Sequence, residues 1–84
     1  MNETEARLVI LISQLPPQKR DIFSLTAKLD KSYSSTYNYL RLMEAKGWLN
    51  RIKSDKKTFF ALKDSELTVK ANEILEKGVA DEVS

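Results

Sequence analysis

Tyr33, Ser34, Tyr37, Asn38 and Arg41 stand three or four residues apart, the spacing at which side chains share one face of a helix. Hydroxyls, a carboxamide and a guanidinium crowd that face with donors and acceptors, whereas a merely solvated face is more often Glu and Lys. Asn38 and Arg41 carry planar groups able to make paired hydrogen bonds, Asn to the edge of an adenine and Arg to that of a guanine. Ser32, just before them, can cap the helix through its hydroxyl while the helix N-terminus stays open to a phosphate. Lys31 in the preceding turn, and Arg51, Lys53, Lys56 and Lys57 further on, supply cations for the same anionic chemistry.

Other chemistries lack their residues. The 84-residue chain has neither cysteine nor histidine, so disulfides, thiolate catalysis, the commonest general base and the commonest transition-metal ligand are all absent. Its carboxylates are scattered over helix surfaces without an evident pair in a cleft. We therefore expect no enzyme, no metal, no other cofactor and no evident effector site.

A net charge of +2 conceals strong segregation along the chain. Residues 1–30 balance, with four basic and four acidic groups; residues 31–63 carry eight basic against two acidic groups, or +6; residues 64–84 carry two against six, or −4. Positive charge thus coincides with the polar helix and the segment after it, as a polyanion-binding surface requires.

The elements that must position these groups can be read in order. Asn2 and Glu5 have the spacing of a capping box, and a helix is expected from there to about Leu15, before Pro16 and Pro17 end it. Leu8, Leu11, Ile12 and Leu15 form its core stripe; Ala6, Val9, Ile10 and Ser13 form a second, smaller face. A small domain struggles to bury a helix all round, so Val9 and Ile10 are predicted to contact a second copy of the chain. Ile22 and Phe23 read as a short strand, with Ser24 capping a helix that carries Leu25 and Leu29. Asp30 and Lys31 make a turn, and the polar helix runs from Ser32 to Lys46 with Thr36, Tyr39, Leu40 and Met43 inward.

Gly47 reads as the helix C-cap. Trp48–Lys53 and Thr58–Leu62 then form a hairpin around Ser54, Asp55, Lys56 and Lys57, with Trp48, Leu49, Ile52, one of Phe59 or Phe60, and Leu62 covering the core. A last helix begins near Asp64 or Ser65 and carries Leu67, Ala71, Ile74 and Leu75 on one stripe before Gly78. One domain is expected over residues 1–78, with a frayed tail at 79–84. The longest apolar run, Leu8–Ile12, is far below the roughly 18 residues a bilayer demands and follows Glu3, Glu5 and Arg7, not a basic leader head. A soluble, cytoplasmic protein without membrane contact is expected.

With these residues in place, the chain resembles the winged helix-turn-helix regulators of the MarR and ArsR type. Their ungapped pattern matches in spacing through Thr26, Leu29, Asp30, Lys31, Ser32, Ser35, Thr36, Tyr39, Leu40, Met43, Glu44, Gly47, Trp48 and Leu49. Residue types differ at Thr26 (Ala in the pattern), Asp30 (Gly), Lys31 (apolar) and Thr36 (Val). Asp55-Lys56-Lys57 is similar to the family's Asp-x-Arg wing tip, with Lys in place of Arg, and Phe60-Ala61-Leu62 to the strand that follows. The resemblance covers about residues 22–78.

It implies an α+β, mainly α fold: a three-helix core, a two-stranded wing and a C-terminal helix. It also implies a transcriptional regulator that binds double-stranded DNA, with helix 32–46 in the major groove and the wing, residues 50–60, on the minor groove or backbone. Ser32, Tyr33, Ser34, Tyr37, Asn38 and Arg41 would form the recognition surface, with Lys31, Arg51, Lys53, Lys56 and Lys57 as turn and wing contacts. The long dimerisation helices of full MarR members are missing here, so a homodimer would form through the first and last helices. The alternative is a winged-helix module for protein–protein interaction in a transcription or replication assembly.

Overall fold

A computed structural model describes the backbone of residues 1–83 and the side chains of residues 1–77. Its elements are α1 (Glu3–Gln14), a 3-10 turn (Pro17–Lys19), α2 (Ile22–Leu29), α3 (Tyr33–Ala45), β1 (Leu49–Ser54), β2 (Lys57–Leu62) and α4 (Glu66–Val83). The two strands pair antiparallel, from Leu49 opposite Leu62 to Ser54 opposite Lys57. Four helices and one hairpin make the expected mainly helical winged-helix architecture.

The capping box at the start of α1 is complete. Asn2 Oδ1 accepts from the Glu5 amide at 2.8 Å, and Glu5 Oε1 accepts from the Asn2 amide at 2.9 Å. Glu5 also reaches across the fold, its Oε2 accepting from Lys46 Nζ at 2.8 Å just past the end of α3. Burial alone would raise the Glu5 carboxyl, but the Lys46 bond, the Asn2 amide and nearby positive charge outweigh it and hold the group below its ordinary value of 4.5. A lowered folded value means the stabilisation is present above that ordinary value and is lost as pH falls through the lowered one. Melting of wild type and Glu5→Gln should therefore differ by a constant amount near neutrality, with the gap closing below the ordinary value. A gap that widened in acid would contradict this assignment.

Much of the second face of α1 is consumed within the protomer. Leu8 and Ile12 are fully buried as expected, but so are Ala6 and Val9, because α1 packs against α2, α4 and β2. Val9 is thus a core residue, not a dimer contact: α4 folds back to supply the cover expected from a second chain. Ile10 stays half-buried at the edge of the core.

The strand expected at Ile22–Phe23 is displaced and shortened. Asp21 holds extended backbone (φ −87°, ψ 165°) as the N-cap residue of α2 and makes a single antiparallel bridge with Phe59, beside a Phe60 amide to Arg20 carbonyl bond of 3.0 Å. Ser24 lies inside the helix and donates to Asp21 Oδ1 at 2.7 Å, so the capping role expected of it falls three residues earlier.

In the turn, Asp30 adopts the left-handed conformation (φ 59°, ψ 44°), which Asp tolerates better than most residues. Ser32 caps α3, its hydroxyl accepting from the Ser35 amide at 3.2 Å. Thr36, Leu40 and Met43 are fully buried, and Tyr39 packs against them half-buried. The two threonines that replace apolar residues of the family pattern fare differently. Thr36 Oγ1 donates to the Ser32 carbonyl at 3.0 Å, whereas Thr26 Oγ1 is buried with no partner among the described residues. An unpaired buried hydroxyl costs about 1–3 kcal/mol, so Thr26→Ala should leave stability unchanged or raise it by about 1 kcal/mol in chemical denaturation. A clear loss would mean that the hydroxyl is satisfied.

Gly47 (φ 82°) ends α3 in a paired-bond cap: the Trp48 amide reaches the Met43 carbonyl and the Gly47 amide the Glu44 carbonyl, both at 3.0 Å. A Cβ at Gly47 would meet nothing within 4 Å. Gly47→Ala is therefore expected to cost about 1–2 kcal/mol through backbone strain alone, seen as a lower melting temperature without loss of helical signal.

In the wing, Leu49 and Phe60 are fully buried and Leu62 half-buried, but Ile52 is 49% exposed. Residues three apart on a strand point to opposite faces, so Ile52 cannot share the core with Leu49; it stands outside, opposite Phe59. Asp55 takes φ 55°, the sign required at the first central position of a two-residue hairpin turn. Trp48 packs half-buried against the core, with Lys46 Nζ 4.7 Å from its ring centroid. Leu67 and Ala71 anchor α4. That helix continues through Gly78 to Val83, since a single helical glycine costs only about 1 kcal/mol relative to alanine. Of the tail expected to fray at 79–84, Ser84 and the side chains from 78 onward lie outside the described residues.

Candidate nucleic-acid interface

The polar face of α3 points outward. Ser32, Tyr33, Ser34, Asn38 and Arg41 are exposed and Tyr37 half-buried, while the opposite face is fixed in the core by Thr36, Leu40 and Met43. The three residues of that inward face determine where the outward ones stand.

The wing lies on the same side of the molecule. Lys56 and Lys57 share with Tyr33 a hollow of about 140 Å³, and Arg51 shares with Tyr37 and Arg41 a broader concavity of about 500 Å³. The outward side of α3 and the hairpin therefore border the same two hollows. Lys31, Lys53, Lys56 and Lys57 are exposed, and none of them forms an ion pair among the described residues. Arg51 differs: its Nη2 donates to Glu44 Oε1 at 2.8 Å, tying the first strand of the wing to the end of α3.

Asp21 sits behind the wing tip, almost wholly buried. Burial would raise its carboxyl, but the Ser24 hydroxyl, neighbouring amides and the charge of Lys57 hold it below its ordinary value.

One functional candidate escapes the sequence reading. Phe23 is 72% exposed, with its ring centroid 5.2 Å from that of Tyr33; Tyr33 lies 6.3 Å from Tyr37 at an interplanar angle of 6°, and the Arg41 guanidinium stands 5.9 Å over Tyr37. A ladder of three aromatic rings and one planar cation thus runs from α2 along the outward side of α3. Taking Phe23 as a strand residue hid this. Once Ile22, Leu25 and Leu29 form a helical stripe, the residue after Ile22 falls off it and must point outward.

No protein-family model and no curated protein matches the sequence. Solved structures do. A mutant of the S. aureus regulator MepR superposes with a TM-score of 0.80 at 14% identity, over 99% of this chain and 64% of that one. The zinc-dependent MarR-family transcriptional regulator AdcR, in its Zn(II)-bound state, superposes at 0.70 with 16% identity, over 98% and 57%. The chain has a MarR-like winged-helix fold. MepR in complex with DNA matches at 0.74 with 16% identity, over 98% of this chain and 69% of that one. At such identities the shared property is the MarR-like fold, of which this chain spans a little under two thirds of the first MepR chain. Each of these neighbours is a transcription regulator.

Proposed function

We propose that this chain is a small transcriptional regulator that binds double-stranded DNA in a sequence-dependent way, not an enzyme. The observation that carries the reading is that the outward side of α3 and the hairpin line two hollows, Tyr33 with Lys56 and Lys57 in one and Tyr37 and Arg41 with Arg51 in the other, joined by the Tyr33–Tyr37 stack. In this reading, α3 enters the major groove, with Ser32 and the helix N-terminus on a phosphate and Asn38 and Arg41 on base edges. The wing lies on the minor groove or backbone, where Lys31, Lys53, Lys56 and Lys57 contact phosphates. Arg51 acts mainly as the strut that sets the wing against α3. The MepR–DNA complex, which has the same fold, lends support to this arrangement.

A homodimer would use what α1 and α4 leave open: Ile10 on the first helix, and Val69, 59% exposed, on the last. Twofold symmetry would then demand half-sites about one helical turn apart. No helix among the described residues is long and apolar enough to cross a membrane, and a cytoplasmic location fits this role. The burial of Ala6 and Val9 leaves less apolar surface on α1 for either a second copy or the protein-interaction alternative.

Selection of bound sequences from a random duplex pool tests the proposal. The expected result is an enriched, inverted-repeat motif whose affinity falls steeply with salt. No enrichment and no salt dependence would overturn it.

A further inference from the structure

The aromatic ladder exceeds what groove reading requires. In a duplex the faces of the bases are hidden in the stack and only their edges can be reached. Phe23, 72% exposed, has no hydrogen-bonding group to offer an edge, and Tyr33, 45% exposed, shows much of its ring as well as its hydroxyl. Large aromatic surfaces left in water beside unpaired lysines match another ligand, because single-stranded nucleic acid is held by rings that stack on its bases and by cations that follow its backbone.

The geometry supplies both parts together. Phe23 and Tyr33 line the hollow of about 140 Å³ together with Lys56 and Lys57. Asp21, the one acid in that hollow, is 6% exposed and already holds the Ser24 hydroxyl at 2.7 Å, so its charge is turned from solvent. Beyond Tyr33 the ladder continues to Tyr37 and ends under the Arg41 guanidinium, itself a stacking group. We propose that the surface between Phe23, Tyr33 and the wing tip binds single-stranded DNA, with unpaired bases stacking on the two rings and phosphates meeting Lys56 and Lys57. This activity goes beyond duplex reading and does not depend on it.

The test compares fluorescein-labelled oligothymidylate with a blunt duplex of equal length, by anisotropy, for wild type, Phe23→Ala, Phe23→Leu and Phe23→Trp. Phe23 is exposed, so these variants should melt like wild type. Phe23→Ala is expected to weaken oligothymidylate binding about five- to hundredfold and duplex binding by less than about twofold. Phe23→Leu should behave like the alanine variant, and Phe23→Trp like wild type. Three outcomes would overturn the proposal. They are no oligothymidylate binding by wild type, equal losses on both probes, and full rescue by leucine, which would show that apolar bulk and not base stacking on a ring makes the contact. None of them bears on the Asn38 and Arg41 contacts with duplex, so the two readings fail separately.

Discussion

Phe60→Ala is expected to cost about 3–5 kcal/mol of stability in chemical denaturation, and Phe59→Ala far less. Phe60 is fully buried, and its amide bonds the Arg20 carbonyl at 3.0 Å; it therefore fixes the wing to the helical core through both side chain and backbone. Phe59 occupies the other face of the strand, opposite Ile52. For a small domain near the lower end of the usual range of about 5–15 kcal/mol, that loss would bring the Phe60 variant close to unfolding. Similar losses at both positions would mean that the strand is shifted by one residue, which would turn every wing side chain to the opposite face.

The second large effect concerns recognition. Arg41→Ala and Asn38→Ala should each lower discrimination between the selected operator and random duplex by about 1–3 kcal/mol, roughly five- to 150-fold in relative affinity. Both side chains are exposed on the outward face of α3, so truncating them should leave the fold intact. Lys56→Ala should instead weaken all duplexes alike and flatten the dependence of affinity on salt by about one unit. Uniform losses for all three variants would remove base reading from the account and leave only electrostatic attachment.

The parts of the fold legible in the sequence are those governed by short-range rules. The capping box of Asn2 and Glu5, the Ser32 cap and the left-handed Gly47 each depend on a few neighbouring residues, and each appears where spacing placed it. The inward face of α3 was equally clear, because a helical period over Thr36, Leu40 and Met43 leaves one solution. Misreadings came where tertiary packing decides. Val9 looked surplus to a small core until α4 covered it, and Ile52 looked apolar enough for a core that the strand period denies it.

The candidate site shows the same division. Which residues of α3 face outward follows from periodicity, and the lysines of the wing tip from charge. That the two lie on one side of the molecule, with Tyr33 beside Lys56 and Lys57, does not, because it depends on the hairpin folding back through Phe60 and the Arg51–Glu44 pair. Phe23 was hidden for a further reason: β-branched and aromatic residues side by side read as strand, while the preceding Asp21 begins a helix.

The central claim is that α3 and the wing tip together form the DNA-binding surface. Amide NMR shifts of the labelled protein, followed during titration with the selected duplex, test it most directly. Changes should concentrate in residues 31–41 and at Lys56 and Lys57, with α1 and α4 unaffected except at a dimer contact. Changes confined to α1 or α4, with residues 31–41 silent, would contradict it.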